Sequence, residues 1–404
     1  MNPVLKNNLS ISSLSIDSGP YNTEVVINGA GFNTTSSNDL VYFDGVAATV
    51  LNATSSELLV LVPLAAGTGN VTIKVNGVTA TGPVFIYQQQ EVVTLIAGNN
   101  NPGAVNGTGA VATFFQPDGI TVDGTGNLYI SDLGNNLIRK ISSTGEVSTF
   151  AGSGASGTSD GTGTTASFNH PTGIATDGTG NVYVADALSG LIRKITQAGV
   201  VSTLAGGAKG TSGQDVDGTG ATAYFSNPVA LAVDGSGNVF VSDAGSGRIR
   251  KITPEGVVTT IYSNGGLSCY GIALDNLGNI YATDVQTNNI FKITQSGVSV
   301  GFAGNGNQLG GNFDGTGNAA SFSMPYSMTI DKNGNLYVCD LGNMEIRKIT
   351  PGATVTTIAG EYPGIFSVGV ANKVPILDPA GVTVDKNGNI FILDGNQVQE
   401  ISVQ

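Results

Sequence analysis

One short motif recurs six times and constrains the fold of this chain more than any other feature. Every copy begins and ends with Asp and carries a Gly-Asn pair at its centre. The copies are DGTGNLYISD (123–132), DGTGNVYVAD (177–186), DGSGNVFVSD (234–243), DNLGNIYATD (275–284), DKNGNLYVCD (331–340) and DKNGNIFILD (385–394). Their first Asp residues lie 54, 57, 41, 56 and 54 residues apart. Spacing of this kind is the signature of a repeat architecture.

Each copy lies between two short apolar runs, such as GITV before and NLYIS after the first. Two β-type runs around a Gly/Asn-rich turn predict a hairpin, and Gly permits the positive φ values of such a turn. The paired acids could instead indicate a calcium loop. Because a metal site would rarely be copied into every unit, we interpret the motif as a structural turn.

Two further strands follow each hairpin. The third has the form LIRKIS, LIRKIT, RIRKIT, NIFKIT, EIRKIT or QVQEIS, and the fourth has forms such as EVSTFAG and TVTTIAG. Four short antiparallel strands in each of six units, without helical periodicity, predict a six-bladed β-propeller over residues 91–404.

The two ends of this region predict how the ring closes. The last unit stops after its third strand, at QEISVQ, and a matching fourth strand, EVVTLIAG (91–98), precedes the first unit. We expect this N-terminal strand to complete the last blade, which would remove the exposed edges of an open ring.

Composition narrows the classes of function. The chain has 404 residues, 59 Gly, 11% charged residues and a net charge of −13, so it has no basic stripe for nucleic acid. Of its 21 Asp residues, 12 are the repeated motif acids.

Cys269 and Cys339 give no zinc-type spacing, and we expect two buried thiols. No apolar run is long enough to span a membrane and no signal peptide is visible. We expect an extracellular or cell-surface protein that lacks its leader or lipid anchor, and a cytoplasmic protein is the alternative.

The repeats resemble the NHL family, whose units join a hairpin of this type to an IRKI strand; only the last unit departs clearly, with QVQEIS. Residues 9–87 show about seven short strands, typical of an immunoglobulin-like sandwich, and INGAGFN, VYFDGVAATV and ELLVLVPLAAGTGNVTIKVNG resemble an IPT/TIG domain. This domain order is similar to surface proteins of bacterial polysaccharide-utilisation systems. The resemblance implies a sandwich that serves as a spacer and a propeller that captures glycan.

Four loops that enter the first strand of a unit share a second motif. They read NGTGAVATF (106–114), DGTGTTASF (160–168), DGTGATAYF (217–225) and DGTGNAASF (314–322). We expect tight turns, with Phe114, Phe168, Phe225 and Phe322 as plugs between blades. The alternative is calcium at Asp215 and Asp217, although the bidentate Glu of an EF-hand loop is absent. No other cofactor is expected.

The closing Asp of each hairpin and the Arg of the third strand recur in register, which favours a structural ion pair over six active sites. These residues are Asp132, Asp186, Asp243, Asp284, Asp340, Asp394, Arg139, Arg193, Arg250 and Arg347.

Function is expected where the units differ, at the entrance to each first strand. The candidate ligand-binding residues there are Gln116, Asp118, His170, Asn227, Tyr270, Tyr326 and Asp378. Tyr rings mixed with hydrogen-bonding groups suit a sugar. The fourth unit enters through a short loop, SNGGLSCYG, which predicts a side entrance beside Cys269 and Tyr270.

Three functions remain open. A non-catalytic protein that binds a polysaccharide or oligosaccharide fits the polar rim, but the chain has no Trp for stacking. A protein-interaction or adhesion module, with another cell-surface protein as its partner, is the second possibility. Catalysis is the third: a single His excludes the multi-His zinc sites of related lyases, but Asp118 and Asp378 could form the carboxylate pair of a hydrolase.

Overall fold

The structure is a computed structural model that describes residues 9–64, 66–88, 91–207, 216–263, 266–306, 310–360, 369–370 and 375–403. It divides into two compact units, one formed by residues up to 92 and one formed by 93–402, with residues 403–404 grouped with the first. The described residues contain strands and single-turn 3₁₀ helices but no α-helix, as the repeats predict. None of the helices in the described ranges is long and apolar enough to cross a membrane.

The N-terminal unit is a sandwich of two sheets. Its strands are β1 (Ser10–Leu14), β2 (Ser18–Gly19), β3 (Glu24–Ala30), β4 (Asp39–Phe43), β5 (Val46–Ala47), β6 (Thr49–Ala53), β7 (Glu57–Leu61), β8 (Gly69–Val75) and β9 (Val78–Tyr87), with a 3₁₀ turn at Ser36–Asn38. One sheet has the order β1-β3-β7-β6 and the other β2-β9-β8-β4-β5. The alternation of apolar residues directs side chains such as Val25, Ile27 and Val60 into one core, where the Phe43 and Phe85 rings meet edge to face at 5.0 Å.

The second unit begins with β10 (Glu91–Ala97) and continues through five sheets. The first comprises β11 (Gly107–Thr108), β12 (Pro117–Val122), β13 (Leu128–Asp132), β14 (Leu137–Ile141) and β15 (Glu146–Ala151). The second comprises β16 (Gly161–Thr162), β17 (Pro171–Thr176), β18 (Val182–Asp186), β19 (Leu191–Ile195) and β20 (Val200–Gly206). The third comprises β21 (Gly218–Thr219), β22 (Pro228–Val233), β23 (Val239–Asp243), β24 (Arg248–Ile252) and β25 (Val257–Ser263).

The fourth sheet has four strands, β26 (Ile272–Leu274), β27 (Ile280–Asp284), β28 (Asn289–Ile293) and β29 (Ser299–Ala303). The fifth comprises β30 (Gly315–Thr316), β31 (Pro325–Ile330), β32 (Leu336–Asp340), β33 (Glu345–Ile349) and β34 (Thr354–Ala359). The last strands are β35 (Gly369–Val370), β36 (Pro379–Val384), β37 (Ile390–Asp394) and β38 (Gln397–Val403). Single 3₁₀ turns lie at Leu133–Asn135, Gly163–Thr165, Ala187–Ser189, Gly220–Thr222, Gly317–Ala319 and Leu341–Asn343.

These sheets are the six blades of a closed ring, so the predicted fold class is confirmed. The innermost strands β12, β17, β22, β26, β31 and β36 contact one another in sequence, and β36 contacts β12 again. The last blade has the order β35-β10-β38-β37-β36, which places the N-terminal strand β10 next to the C-terminal strand β38. The chain therefore closes the ring in the predicted way, and no long edge of β38 is left unpaired.

Each blade of five strands has one outer strand more than the sequence pattern predicts. In the first blade Gly107 and Thr108 pair with Val147 and Glu146 of β15, and the corresponding Gly-Thr pairs of β16, β21 and β30 do the same in their blades. Two residues are too few to give a period-2 signal, because such a signal needs several alternations.

Apolar cores lie between neighbouring blades. The predicted plugs Phe114, Phe168, Phe225 and Phe322 are at most 1% exposed and each packs against residues of two successive blades. Both cysteines are buried and free, as expected.

Candidate functional site

The repeated Asp-Gly motif is a turn whose carboxylate is occupied by its own loop. In the first copy, the Asp123 carboxylate accepts hydrogen bonds from the backbone N–H and hydroxyl of Thr125 at 2.8 and 2.7 Å and from the backbone and side chain of Asn127 at 3.0 and 2.8 Å. Partial burial raises the pKa of Asp123, but these hydrogen bonds outweigh it and leave the pKa below its ordinary value. The Asn of the motif thus completes an Asx-type turn, which supports the structural interpretation.

The recurring Arg is the centre of a buried anchor that explains the second motif. Arg193 is fully buried and lies 3.3 Å from Asp186, which ends strand two, and 2.8 Å from Asp160, which begins the entering motif. Its guanidinium also donates to the carbonyls of Ser167 and Ser159 and lies 5.2 Å from the centre of the Phe168 ring. A fork of donors can hold several oxygens at once, so one residue ties three parts of the blade together.

The same anchor argues against calcium in the entering loops. Asp217 lies 2.6 Å from Arg250 and accepts two hydrogen bonds from Thr260. Its carboxylate is therefore already compensated by a guanidinium, and the loop does not fit a metal at this residue. Asp215, the other residue of the calcium alternative, lies outside the described residues. No cluster of three metal-ligating side chains occurs in the described ranges.

Two adjoining cavities lie in the propeller. The central channel, about 180 Å³, is lined by the innermost strands of all six blades. The mouth cup, about 480 Å³, opens above the first, fifth and sixth blades. The cup is lined by Gln116, Pro117, Asp118, Leu133, Tyr326, Leu341, Asp378, Ala380, Gly395 and Asn396. Since Asp118 and Tyr326 line both cavities, they form the floor of the cup where it meets the channel.

A hydrogen bond joins these two floor residues. The Tyr326 hydroxyl donates to Oδ1 of Asp118 at 3.0 Å, and the Tyr326 ring stacks on Tyr270 with centroids 5.0 Å apart and planes inclined by 20°. Burial raises the pKa of the Asp118 carboxyl to about 6, against the opposing effect of the Tyr326 hydrogen bond. Burial, followed by the charge of Asp118, raises the pKa of Tyr326 far above its ordinary range, so Tyr326 remains a neutral donor.

The structure brings five of the seven predicted site residues together. Gln116, Asp118, Tyr326 and Asp378 line the mouth cup, and Tyr270 lines the channel and stacks on Tyr326. These five come from blades one, four, five and six, so the candidate site is off the axis of the ring.

The other two predicted residues, His170 and Asn227, line neither cavity. His170 is exposed, its backbone N–H donates to the Asn136 side chain at 3.0 Å, and its Nδ1 lies 3.3 Å from the Asn169 side chain. The backbone of Asn227 is fixed by the buried Asp243 at 2.7 Å. Both positions therefore help to connect loops on the blades farther from the cup.

Phe115 and Leu377, which are not among the predicted site residues, directly precede Gln116 and Asp378 of the cup. In every blade, one backbone N–H at this position donates to the buried Asp that ends strand two. The residues at this position are Phe115, Asn169, Ser226, Ser268, Ser323 and Leu377. Only blades one and six carry an apolar side chain here, and Phe115 and Leu377 remain 38% and 45% exposed.

The Phe115 ring is positioned by a glycine. A Cβ atom at Gly134 would lie 2.5 Å from Cδ1 of Phe115, so only glycine allows the ring to lie this close to the loop beside Leu133. Aligning the residue after each plug Phe would have identified Phe115, because the other units place Asn or Ser there.

The predicted side entrance at Cys269 is wrong. Cys269 is 1% exposed and packs with Ala230, Ile272 and Ala282 between the third and fourth blades. Burial raises the pKa of its thiol to about 11, so it is an inert core residue. Cys269 is therefore part of the core between these two blades, whereas the neighbouring Tyr270 stacks on Tyr326.

Comparison with known families and sequences agrees with this architecture. The IPT/TIG domain family matches residues 9–87, and the Teneurin NHL domain family matches residues 154–222. The Arabidopsis thaliana protein SUPPRESSOR OF QUENCHING 1, chloroplastic, is 27% identical over 276 residues. That match covers 60% of this chain and only 26% of the Arabidopsis protein, so the chain spans about a quarter of this relative.

Two solved structures are similar over nearly the whole length of both chains. An auxiliary nutrient binding protein from Bacteroides ovatus is 18% identical with a TM-score of 0.74, and covers 99% of both chains. An auxiliary nutrient binding protein from Bacteroides thetaiotaomicron is 19% identical with a TM-score of 0.70, and covers 98% of both. At these identities the likeness concerns the fold. The family matches therefore cover the N-terminal sandwich, as an IPT/TIG domain, and one segment of the propeller, as part of a Teneurin NHL domain.

Proposed function

We propose that this protein is a non-catalytic extracellular binding protein that captures a glycan in the mouth cup, with the IPT/TIG domain as a spacer. The observation that carries the proposal is the floor of the cup, where Tyr326 donates a hydrogen bond to the Asp118 carboxylate and stacks on Tyr270 of the channel. Sugars present apolar ring faces and hydroxyl groups together, and a site that recognises them needs apolar surfaces with a few convergent polar groups.

The rim of the cup offers the same combination. Phe115 and Leu377 are exposed apolar side chains, whereas Gln116 and Asn396 supply amide donors and acceptors. Gln116 is held with φ of 50° and its backbone N–H donates to Oδ1 of Asn396 at 2.9 Å, so the Asn396 amide and the Gln116 backbone are fixed at the junction of blades six and one. Phe115 supplies an exposed aromatic face in a chain without Trp.

Other features support the proposal. The two Bacteroides proteins named above are called auxiliary nutrient binding proteins, and a nutrient glycan would fit that description. The net charge of −13 disfavours nucleic acid as a ligand. A protein partner is the alternative occupant, and it would require an apolar surface that extends beyond the cup onto the flat rim.

A screen of native electrophoretic mobility in gels that contain one soluble polysaccharide each tests the proposal. Retardation by one glycan class, with and without a calcium chelator, is expected. Retardation that disappears with chelator would restore the calcium interpretation. Absence of retardation in every gel would contradict glycan capture, and a pull-down of surface proteins would then test the adhesion alternative.

One observation favours a second candidate, a glycoside hydrolase. The pKa of Asp118 is raised to about 6 while Asp378 lies in the same cup, and an acid of raised pKa near a second carboxylate is the arrangement such enzymes use. Release of reducing ends from a glycan that binds, lost in both Asp118→Asn and Asp378→Asn, would establish hydrolysis. Binding without release of reducing ends supports the non-catalytic proposal.

A further inference from the structure

The carboxylates of the mouth cup are compensated differently from the buried Asp residues that end strand two in blades one, two and five. In blades one, two and five the Asp that ends strand two lies within 2.7 to 3.3 Å of a buried Arg. In the cup, Asp118 accepts a hydrogen bond from the neutral Tyr326 hydroxyl, and the described residues give it no ion pair. Asp378, which is exposed at the rim, adds a second carboxylate without an ion pair in the described part of the chain.

The sixth blade adds to the excess of negative charge directly behind the cup. Its third strand has Gln399 at the position where β14, β19 and β33 have Arg139, Arg193 and Arg347. The Gln399 amide lies 3.3 Å from Asp394, which is 5% exposed. Burial raises the pKa of Asp394 and the charge of Asp378 raises it further, so these two carboxyls repel each other. An amide supplies a dipole but no positive charge.

No basic residue offsets these acids within the cup. Its described lining contains two carboxylates and the amides of Gln116 and Asn396, but no Lys, Arg or His. The field inside a cleft lined by charges of one sign is strengthened by its low-dielectric walls. A ligand that carries a carboxylate or sulfate would be repelled there, and a ligand that carries an ammonium group would be attracted.

We propose that the mouth cup selects saccharides by charge: it favours an amine-bearing sugar over the neutral counterpart and rejects uronates and sulfated sugars. This inference rests on the proposed function, because it concerns the ligand class of the same cup. The Tyr326 ring, which lines the cup, adds an aromatic surface that an ammonium group can approach, since cations are attracted to aromatic faces.

Matched sugars that differ at one group test the inference. The probes are glucosamine, glucose and glucuronate, together with galactosamine, galactose and galacturonate, titrated at millimolar concentration against the full chain and followed by NMR. Affinity should fall from amine to neutral to acid, by about tenfold or more across each series at low salt. The spread should shrink as ionic strength rises, because salt screens charges at an open site.

Three variants locate the effect. Asp378→Asn and Asp118→Asn keep the side-chain shape and remove one charge each, so both should reduce the ratio of amine to acid affinity severalfold. Glu255→Gln removes one charge from an exposed turn between β24 and β25, outside the cup, and should leave the ratio unchanged.

The outcomes separate this inference from the proposed function. Acidic sugars that bind as tightly as the amines, with binding that Tyr270→Ala abolishes, would overturn charge selection and leave glycan capture in place. An affinity ratio that neither Asn variant changes would also overturn it. Failure of every probe to bind, together with no retardation in the polysaccharide gels, would overturn both.

Discussion

The hydroxyl of Tyr326 lies 3.0 Å from Oδ1 of Asp118, although 208 residues separate them in the chain. The contact joins the fifth blade to the first across the mouth of the ring, and it lies where the cup meets the channel. The five residues that meet in or beside this cup occupy positions that vary between repeats, and the same holds for Phe115. The repeated residues, by contrast, hold the blades together.

Tyr326→Phe should weaken saccharide binding while the fold is retained. The change removes one hydroxyl but keeps the ring on Tyr270, so stacking remains and the donor to Asp118 is lost. We expect affinity to fall about fivefold to tenfold, the effect of losing one ordinary hydrogen bond at the site. Calorimetric titration measures it. Equal affinity in Tyr326→Phe and the wild type would show that the hydroxyl does not contribute.

Asp118→Asn should stabilise the protein at neutral pH. Because the folded-state pKa of Asp118 is raised from 3.8 to about 6, the folded state holds this proton more tightly than the unfolded state. Its contribution to stability is fully present below about pH 4 and is lost as the pH rises through about 6. Above that pH the ionised group costs roughly 3 kcal/mol, the equivalent of about two pKa units.

The difference in melting temperature between Asp118→Asn and the wild type, measured from pH 4 to pH 8, tests this assignment. We expect the advantage of the variant to grow by a few degrees between about pH 4 and pH 7. Comparing two proteins at each pH cancels the titration of other groups, including Glu345, whose pKa burial raises to about 7. An advantage that stays constant across the range would contradict the raised pKa of Asp118.

Arg193→Met should destabilise the propeller strongly. It would leave Asp186 as a buried carboxylate without its cation and would remove the donors to Ser159 and Ser167. Removing one partner of a buried ion pair costs about 3–5 kcal/mol. Urea unfolding measures the change, with Arg248→Met as the control because Arg248 is a partly exposed arginine of a neighbouring blade. A loss no larger than that of the control would refute the anchor.

Deletion of residues 91–98 should abolish cooperative unfolding of the propeller. The strand β10 lies between β35 and β38, and Val93, 2% exposed, packs in the core between blades five and six. Val93→Asp is a milder form of the same test, with Thr94→Asp, a partly exposed neighbour in the same strand, as its control. Melting at the wild-type temperature in the deletion variant would refute closure by the N-terminal strand.

The ring closure was predictable because the missing strand and the surplus strand are both visible in the repeats. The structural role of the Arg was predictable for a similar reason, since it recurs in register with the Asp that ends strand two. The repeated motifs do not reveal the second side chain that each Arg contacts, at the start of the entering motif. Arg193 reaches Asp160, 33 residues earlier, and this contact explains why the entering motif begins with a polar residue in four units.

The candidate site could be predicted only in part. Asp118, Tyr326 and Asp378 stood out because they vary between units, but so did His170 and Asn227, and only the closed ring shows that the cup is off-centre. Phe115 was missed because it follows the plug Phe114, and two adjacent Phe residues resemble a single apolar run. Its exposure accompanies a bend at Phe115 and Gln116, where Gln116 has φ of 50°, and the local apolar pattern does not encode this bend.

Calorimetric titration of the polysaccharide that retards the protein most, with wild type, Tyr270→Ala and Tyr21→Ala, tests the central claim most directly. We predict that Tyr270→Ala loses about tenfold in affinity, the loss expected when the ring that stacks on Tyr326 beneath the cup is removed. Tyr21→Ala, which changes a Tyr at the surface of the sandwich, should bind as the wild type does. Unchanged affinity in Tyr270→Ala with loss in Tyr21→Ala would place the glycan site on the N-terminal unit and contradict the account.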